Sequence, residues 1–548
     1  MQVVPLGGLG EIGKNMTAVR QSSGIILIDA GMSFPDEEMP GIDLVLPDFT
    51  FLREHADELK GIVLTHGHED HVGALPYLLR EFNVPVYATK LTLGLVRSKL
   101  QEFGIKKGDL REIKAGDTQN LGGFGLEFIN VNHSIPDAVA IAIRTNAGLI
   151  LFSGDYKVDL TPIEGDPMDL GRLAELGNAG VLAYFGDSTN SERPGYVPSE
   201  KTVQKTLEEV FERATGRIIV ASFASHIHRV SQVVEAAKKH NRLVGVAGRS
   251  MVRNVQIARE LGYLDLPDEM FVEQQRDFGR IPDSDIVVMM TGSQGEPLAA
   301  LSRVAAGTHR SIEVGPGDTV VVAAHPIPGN ERGVSRTING LMKKGADVHY
   351  SPLQNVHVSG HGAQEEQKLV LALLKPKFLV PVHGEFRMLK HHANTAMSMG
   401  IPEENIFILE NGNRLEFKNG KARRADNVAA GMFLVDAGAI ADGSSSVMRE
   451  RQQLSEDGMF IVVARVSAQN GQLLGPPDVI SRGFVNPQGA NGLTEQSIDT
   501  VQRTLERTAS RQVTDRGELK NAVRKDLSGF ISQKTGKRPI ILPLIVEV

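Results

Sequence analysis

Thr65-His66-Gly67-His68-Glu69-Asp70-His71 is the most informative stretch of this sequence, because it places three imidazoles and an aspartate within six residues, directly after an apolar strand-like run. Random placement of the 16 histidines of the chain would give such crowding only on the order of once per thousand similar sequences. Since the backbone turns at a strand end, His66 and His68 can project to one side while Asp70 and His71 reach a second point. The stretch therefore predicts a metal-binding loop that can serve two cations.

Three residues farther along the chain can complete the two coordination shells. They are His133, Asp155 and His383, and each one ends a strand-like run. The sequence contains no cysteine, so thiolate ligands are excluded, and neutral imidazole with carboxylate suits Zn²⁺ or Mn²⁺. Taken singly, each of the three is equally well explained as an ordinary polar residue at a strand end.

Composition limits the remaining possibilities. With 548 residues, of which 41% are hydrophobic and 23% charged, the chain can bury several cores. The formal charge of -7 excludes a uniformly basic nucleic-acid coat but not a local basic groove. The absence of cysteine favours a reducing compartment, and no apolar run approaches the roughly 18 residues that span a bilayer. We therefore expect a cytoplasmic protein with no membrane partner.

The rhythm of predicted strands and helices divides the chain. Residues 1–198 read as β-rich runs with helices between them, and residues 199–350 alternate regularly between helix and buried strand, which predicts an inserted doubly wound α/β domain. Residues 351–415 are expected to return to the first domain. We predict a linker over 416–445 and a small α+β domain over 446–548.

The order of these ligand candidates resembles that of the metallo-β-lactamase superfamily. The resemblance implies that residues 1–198 and 351–415 form one αββα sandwich. It also implies that His66, His68 and His133 bind one ion, that Asp70, His71 and His383 bind a second, and that Asp155 bridges them. The superfamily contains enzymes that act on very different substrates, so the resemblance alone does not identify one.

The stretch from Asp155 to His383, which includes the inserted domain, resembles the nucleic-acid-processing β-CASP branch of this superfamily. Gly186-Asp187-Ser188-Thr189-Asn190 is similar to its acidic motif A, while His361 and His383 match the histidines of its motifs B and C. Four further stretches, covering 5–15, 222–229, 326–331 and 381–385, resemble the bacterial ribonuclease J family, and the likeness runs through nearly the entire chain.

That family resemblance implies a two-metal-ion hydrolase that degrades RNA 5′ to 3′ from a 5′-monophosphate end and also cuts internally, in RNA maturation and decay. Two divalent ions per chain are expected, Zn²⁺ first, with Mn²⁺ or Mg²⁺ as alternatives. RNA, a second copy of the chain in a homodimer, and components of an RNA-decay complex are the expected partners. A DNA-directed β-CASP nuclease, a small-molecule hydrolase and a catalytically silent RNA-binding subunit remain open.

Asp70, Asp187 and His361 are the catalytic candidates. We expect His361 to protonate the departing 3′ oxygen or to clamp the scissile phosphate, with Asp187 holding its ring in the required tautomer. The alternatives are a loop histidine bonded to backbone and an aspartate that caps the loop after it.

A pocket for the terminal 5′-phosphate is expected where the chain turns into a helix near residue 364, because backbone amides and a hydroxyl converge there. Turn capping is the alternative for its serines. Arg229 is expected to pair with the phosphate backbone. The candidate substrate-binding residues are Ser222, Ser225, Arg229, His357, Ser359, Gly360 and His361.

Three other histidines receive no part in the chemistry. His325 follows Ala323-Ala324, where the resemblance leads us to expect smaller polar residues, and no role is assigned to it. His391 and His392 lie on a predicted surface helix and are expected to be solvated.

Overall fold

The computed structural model describes residues 1–36, 39–106, 108–294, 299–326, 330–441, 445–484 and 492–548. The chain forms two compact units, one of Met1–Phe34 with Val45–Phe433 and one of Pro35–Leu44 with Leu434–Val548. Over these described ranges, no helix combines the length and the apolar character needed to cross a bilayer. Part of the 326–331 motif, residues 327–329, lies outside the described residues.

Two mixed sheets pack face to face in the first unit. In spatial order, the first sheet contains β21 (Lys421–Ala425), β20 (Arg414–Lys418), β1 (Gln2–Gly7), β2 (Met16–Gln21), β3 (Gly24–Ile28), β5 (Leu59–Val63), β6 (Val86–Ala88) and β7 (Leu110–Glu112). The second contains β19 (Phe378–Val382), β12 (Val181–Asp187), β11 (Gly148–Phe152), β10 (Val139–Thr145), β9 (Phe124–Asn130) and β8 (Thr118–Leu121). Val19 and Ile26 of the first sheet share one buried core with Phe128, Ile141 and Phe185 of the second.

Helices fill the connections of this sandwich. The outer face of the second sheet is covered by α5 (Leu170–Ala179), α11 (Gln364–Leu374) and α12 (Phe386–Ser398), and the side chains of Leu173, Leu371 and Ala396 lie in one core with Leu151 and Tyr184. Elements between strands of the first sheet are β4 (Leu44–Pro47), α1 (Thr50–Glu54), α2 (Glu69–Val72), α3 (Leu75–Glu81) and α4 (Lys90–Glu102).

The inserted domain is a six-stranded parallel sheet with helices on both faces. Its strands, in spatial order, are β15 (Phe271–Val272), β14 (Leu243–Ala247), β16 (Ile286–Met290), β13 (Ile218–Ala221), β17 (Thr319–Val322) and β18 (Asp347–Tyr350). Its helices are α6 (Lys201–Arg213), α7 (Ile227–Lys239), α8 (Arg249–Leu261), α9 (Ala300–Ala306) and α10 (Glu331–Lys343). Because side chains alternate along a strand, Ile218 and Val220 pack with α6 to α8, while Ile219 and Ala221 pack with α9 and α10.

The second unit holds a small α+β domain. Strand β24 (Met459–Val466) pairs antiparallel with β25 (Asp478–Arg482) and parallel with β26 (Ile540–Glu547). One face of this sheet packs on α14 (Leu493–Ser510) and α15 (Arg516–Thr535). The unit also contains α13 (Ser445–Asp457). The expected fold class, a helix-covered two-sheet sandwich with an inserted doubly wound domain and a small α+β C-terminal domain, is confirmed.

The segment 416–445 differs from the predicted linker. Its first part pairs antiparallel in the hairpin β20–β21, and β20 extends the first sheet by pairing with β1. Its later part forms β22 (Met432–Asp436) and β23 (Ala439–Ala441), which also pair antiparallel. Short polar strands such as Lys421–Ala425 carry little apolar periodicity, so their pairing depends on the neighbouring strand and not on a local signal. Residues 442–444 of the predicted linker lie outside the described residues.

A buried ion pair lies where the chain enters the inserted domain. Glu200 precedes α6, and its Oε2 accepts a hydrogen bond of 3.0 Å from Arg229 Nη2 of α7. Arg229 Nη1 also donates to Val356 O at 2.9 Å, and Gln232 Nε2 donates to Glu200 O at 2.8 Å. Arg229 is 0% exposed and Glu200 2%. Lys157 Nζ also lies 3.8 Å from Glu200 Oε1, whereas Glu200 is the carboxylate that pairs with Arg229, so the buried Arg229 charge depends on Glu200 for compensation.

Replacing Glu200 by Gln should lower the free energy of unfolding of the first unit by about 3 kcal/mol, because it leaves the buried Arg229 charge unpaired. Urea denaturation followed by far-UV circular dichroism measures the change. Glu208→Gln is the matched control, since Glu208 pairs with Lys239 at the surface and should lose less than about 1 kcal/mol. Equal midpoints for the two variants would contradict the assignment.

Candidate metal centre

The ligand candidates meet because strand ends of both sheets converge. His66 follows β5, and α2 begins immediately after His68 and carries Asp70 and His71. The second sheet supplies the remaining candidates: Asp155 follows β11 and His383 follows β19, while His133 lies three residues beyond the end of β9. His383 has a positive φ of 52°, which turns the chain sharply at the strand end.

One group of donor atoms is made by His66, His68, His133 and Asp155. The distance between His66 Nε2 and His68 Nδ1 is 3.1 Å, and that between His133 Nε2 and His68 Nδ1 is also 3.1 Å. Asp155 Oδ2 lies 3.6 Å from His66 Nε2 and 3.7 Å from His133 Nε2. These atoms surround a common point, as the ligands of one cation do.

A second group is made by Asp70, His71, Asp155 and His383. His71 Nε2 lies 3.3 Å from Asp155 Oδ2 and 3.6 Å from Asp70 Oδ2, and His383 Nε2 lies 3.4 Å from Asp70 Oδ2. Asp155 belongs to both groups, so its carboxylate is the element that the two share.

Hydrogen bonds from a further layer of residues orient these rings. His71 Nδ1 lies 2.8 Å from Asp29 Oδ2, which leaves Nε2 directed at the cluster. Thr65 donates its backbone N–H to Asp29 Oδ1 at 2.8 Å. His133 Nδ1 lies 2.7 Å from Gly360 O, so it donates to that carbonyl. Asp29 is not among the residues predicted from the sequence, although its position directly after the apolar strand β3 resembles that of the predicted ligands.

The first group keeps its imidazoles neutral. Burial lowers the pKa of His66 and of His133 well below the ordinary value of a histidine, and neighbouring imidazoles lower it further. Burial also lowers the pKa of His68, to about 4. Neutral imidazole is the form that donates a lone pair to a cation.

In the second group, the carboxylates favour protonated imidazoles. Burial opposes protonation of His71 and His383, but the Asp155 carboxylate and the other carboxylates around them together outweigh it and raise the pKa of both imidazoles well above the ordinary value. Burial likewise opposes ionisation of Asp155, yet His383 and His71 hold its pKa well below the usual range.

Two buried atoms show that the residues fit divalent ions. Asp155 Oδ1 and His383 Nε2 make no well-formed hydrogen bond, although Asp155 Oδ1 lies 2.9 Å from His383 Nδ1 and His383 Nε2 lies 3.4 Å from Asp70 Oδ2. A buried polar atom without a well-formed hydrogen bond is costly, and a carboxylate oxygen and an imidazole nitrogen are donors that a Zn²⁺-type ion accepts. The whole donor set contains only imidazole and carboxylate.

His361 and Asp187 lie beside this cluster. His361 Nδ1 is 2.8 Å from Asp187 Oδ2 and 3.9 Å from Asp155 Oδ2. Asp187 Oδ1 also accepts hydrogen bonds from the backbone N–H and the hydroxyl of Thr189, at 3.0 and 2.8 Å. Asp187 thus holds the imidazole with one oxygen and caps the following loop with the other. Asp187 therefore makes both of the contacts considered for it, the one with the His361 ring and the one that caps the following loop.

The loop before α11 carries four of the predicted substrate-binding residues, His357, Ser359, Gly360 and His361. Ser359 Oγ accepts from Asn190 Nδ2 at 2.9 Å and from the N–H of His361 at 3.2 Å. Gly360 contacts the metal-ligand candidate His133 through its carbonyl. A Cβ added at Gly360 would come within 2.6 Å of the His133 ring, so only glycine allows this approach.

The remaining substrate-binding candidates and the His357 ring are placed differently. Ser222 is 1% exposed, and its hydroxyl donates to Phe223 O at 3.2 Å, while Ser225 is half-buried. The His357 ring packs against those of His226 and His325, with centroids 5.9 and 5.0 Å apart. The predicted contact between Arg229 and a phosphate backbone is contradicted, because Arg229 is buried in its pair with Glu200 and presents no group to solvent.

His392 is not solvated as expected. It lies on the buried face of α12, its Nδ1 is 3.0 Å from Ser188 Oγ, and burial lowers its pKa to about 4. His391, one position along the helix, has about half of its side chain exposed. The helical turn of about 100° per residue places two adjacent histidines on different faces.

Four stretches of the chain match family models. Residues 9–193 match the metallo-beta-lactamase superfamily, and residues 345–409 match the Zn-dependent metallo-hydrolase RNA specificity domain. Residues 215–341 match the ribonuclease J beta-CASP domain, and residues 446–548 match the ribonuclease J C-terminal domain.

Similar proteins extend over the whole chain. Ribonuclease J2 of Bacillus subtilis is 42% identical over 100% of this chain and 99% of its own, and Ribonuclease J of Thermus thermophilus is 40% identical over 100% and 95%. A crystal structure of a protein of unknown function from Enterococcus faecalis has a TM-score of 0.53 and 16% identity, over 75% of this chain and 99% of its own, and supports the fold alone. From its ligand order, its domain matches and these full-length relatives, the chain belongs to the ribonuclease J family of metallo-hydrolases.

Proposed function

We propose that the chain is a ribonuclease that hydrolyses RNA phosphodiesters 5′ to 3′ from a 5′-monophosphate end and also cuts internally. The observation that carries this proposal is the convergence of seven ligand candidates with the His361–Asp187 pair, in a chain whose full-length relatives are named ribonuclease J. A role in RNA maturation and decay follows from that activity.

Two divalent ions, Zn²⁺ first, are proposed as cofactors. His66, His68 and His133 would hold one, Asp70, His71 and His383 the other, and Asp155 would serve both. Divalent ions in such sites lower the pKa of water from about 15.7 to about 7 and neutralise charge on phosphoryl oxygens. Mn²⁺ and Mg²⁺ remain alternatives.

His361 is the group proposed to act on the leaving oxygen. Its Nδ1 is held by Asp187 at 2.8 Å, which fixes the ring so that Nε2 is the atom available to substrate. Burial lowers the pKa of His361, but the Asp187 and Asp155 carboxylates together raise it above its ordinary value, which favours the protonated ring. His361 is 20% exposed, whereas the ligand histidine His66 is fully buried. An imidazole that is protonated, oriented and accessible is suited to protonate the 3′ oxygen as it departs.

Ser359 is proposed to bind the terminal 5′-phosphate. Its two hydrogen bonds, from Asn190 and from the N–H of His361, use the hydroxyl oxygen as acceptor. The hydroxyl proton is therefore free to donate to an anion. A phosphate held there, two residues from His361, would place the first internucleotide bond at the metal centre and so measure cleavage from the 5′ end.

The cellular setting is part of the proposal. The absence of cysteine favours a reducing compartment, which supports a cytoplasmic location. A homodimer is proposed because symmetric dimers are the commonest assemblies, and partners in an RNA-decay complex follow from the proposed activity.

Asp155→Ala should abolish RNA cleavage and reduce bound Zn²⁺ from two ions per chain to at most one, because both ligand groups lose their shared oxygen. Elemental analysis of the purified variant measures the metal, and cleavage of an end-labelled RNA with and without chelator measures turnover. Asp265→Ala is the control, since Asp265 has 88% of its side chain exposed. Retained cleavage by a metal-depleted Asp155→Ala variant would refute the proposal.

His361→Ala should lower kcat about 100-fold to 10,000-fold while leaving the metal content unchanged, since it removes the proton donor and spares the seven ligands. His391→Ala, which changes an exposed histidine, should behave like the parent. A loss of metal in parallel with activity would make His361 a ligand and would overturn its role as a proton donor.

Ser359→Ala should weaken the preference for RNA with a 5′-monophosphate over RNA with a 5′-hydroxyl by about 10-fold to 100-fold, the value of one hydrogen bond to a charged group. Time courses on the two RNAs, and on DNA of equal sequence, measure it. Ser284→Ala, at an exposed serine, should leave the preference intact. Equal rates for both RNAs with the parent protein would exclude the end-measuring pocket, and faster cleavage of DNA would favour a DNA-directed nuclease.

A further inference from the structure

Glu366 is a buried carboxylate that the proposed reaction does not use. It lies in the first turn of α11, is 0% exposed, and accepts three backbone N–H hydrogen bonds of 2.8 Å. Its Oε1 accepts from Val158, and its Oε2 accepts from Val197 and Ala363. Among the described residues, no lysine or arginine nitrogen lies within 4 Å of this carboxylate, so backbone amides supply its close polar contacts.

The three amides come from three separate segments of the site. Val158 lies three residues after Asp155, and Ala363 lies two residues after His361. Val197 lies on the segment that leads into the inserted domain. A parallel bond of 2.6 Å from the N–H of Gly362 to Tyr156 O joins the first two segments again. Glu366 is thus the side chain through which the Asp155 loop and the His361 loop are joined.

We propose that Glu366 is a positioning residue that sets the distance between the His361 ring and the Asp155 carboxylate. This inference rests on the proposed function of both residues. His361 Nδ1 lies 3.9 Å from Asp155 Oδ2, and both residues lie in loops, so their separation depends on the contacts between those loops. A fixed tie between the loops holds the proton donor at one distance from the reacting phosphate.

The chemistry of the contact requires a carboxylate. Three N–H donors meet two oxygens, and a carboxylate presents acceptors at both positions. In a glutamine at this position, an NH₂ group replaces one of the two oxygens. Depending on the amide orientation, this NH₂ group faces one or two of the N–H donors and cannot accept their hydrogen bonds. Ala363 precedes α11 and has no side-chain oxygen to cap it, so Glu366 also satisfies an amide that the helix start leaves unpaired.

Glu366→Gln tests the proposal, with Glu365→Gln as the matched control. Glu365 is the preceding residue, and its carboxylate pairs with Lys368 at 2.6 Å at the protein surface. In the full chain loaded with Zn²⁺, Glu366→Gln should lower kcat per bound metal about 10-fold to 100-fold, the effect of a displacement of about 1 Å at a reacting centre. KM should stay within about twofold, because the phosphate contacts of Ser359 are retained.

A double-mutant cycle separates positioning from a general loss of structure. If Glu366 acts through His361, Glu366→Gln should have little further effect on kcat in a His361→Ala background. Multiplicative losses in the double variant would overturn the proposal, as would an unchanged kcat in Glu366→Gln. Loss of metal in proportion to loss of activity would also overturn it, because the variant would then be misfolded and not mispositioned.

Hydrogen exchange tests the contacts of Glu366 independently of RNA cleavage. Peptides that contain Val158, Val197 and Ala363 should exchange faster in Glu366→Gln than in Glu365→Gln, whether or not the parent cleaves RNA. If the parent proves inactive on RNA, faster exchange confined to these peptides still supports the tie between the loops. Unchanged exchange at all three refutes it.

Discussion

The buried carboxylate of Asp155 is the constraint on which the rest of the site depends. It is 2% exposed, stands at the end of β11, and its oxygens face both groups of histidines. A carboxylate in such a position is stable only when positive charge surrounds it. Without cations that charge has to be supplied by protons, and this is why neighbouring carboxylates raise the pKa values of His71 and His383, whereas burial lowers those of His66 and His133. Two divalent cations would carry four positive charges, which match the four carboxylates of Asp29, Asp70, Asp155 and Asp187 when all are ionised.

The convergence of distant segments follows from the architecture of the two sheets. Each sheet is continuous through strands that precede and strands that follow the inserted domain, since β20 pairs with β1 and β19 pairs with β12. The segment that follows the inserted domain therefore returns to the sandwich with a fixed register and delivers His383 at a strand end. On its way it delivers Gly360, whose carbonyl orients His133, and His361, which lies against Asp187. The loop that follows the inserted domain and contains Gly360 and His361 therefore contributes to the centre.

Much of the centre could be predicted because its signals are local. Crowded histidines after an apolar strand, and single polar residues at later strand ends, are visible in a sequence without knowledge of its tertiary structure. The burial of Arg229 could not be predicted from the sequence. An arginine at the start of a helix has the same local sequence pattern whether it faces solvent or pairs with a glutamate from another segment. Asp29 was missed for a related reason, since one aspartate after a strand becomes informative only when its histidine partner is known. The pairing of β20 and β21 depends on an edge of the first sheet that no local pattern describes.

Local patterns also fail to reveal contacts whose partners are backbone atoms of other segments. Glu366 accepts hydrogen bonds from the backbone amides of Val158 and Val197, which lie far from it in sequence, and of Ala363, which lies three residues before it. The side chains of these three residues do not indicate the contacts. Gly360 acts through a carbonyl, and its identity is set by the close approach of the His133 ring. A metal ligand is recognisable in a sequence because the ion restricts the choice of side chain. A hydrogen bond from a backbone amide restricts only the position of the acceptor atom. The geometry of the reacting groups therefore depends on a layer of contacts that appears only once the chain is folded.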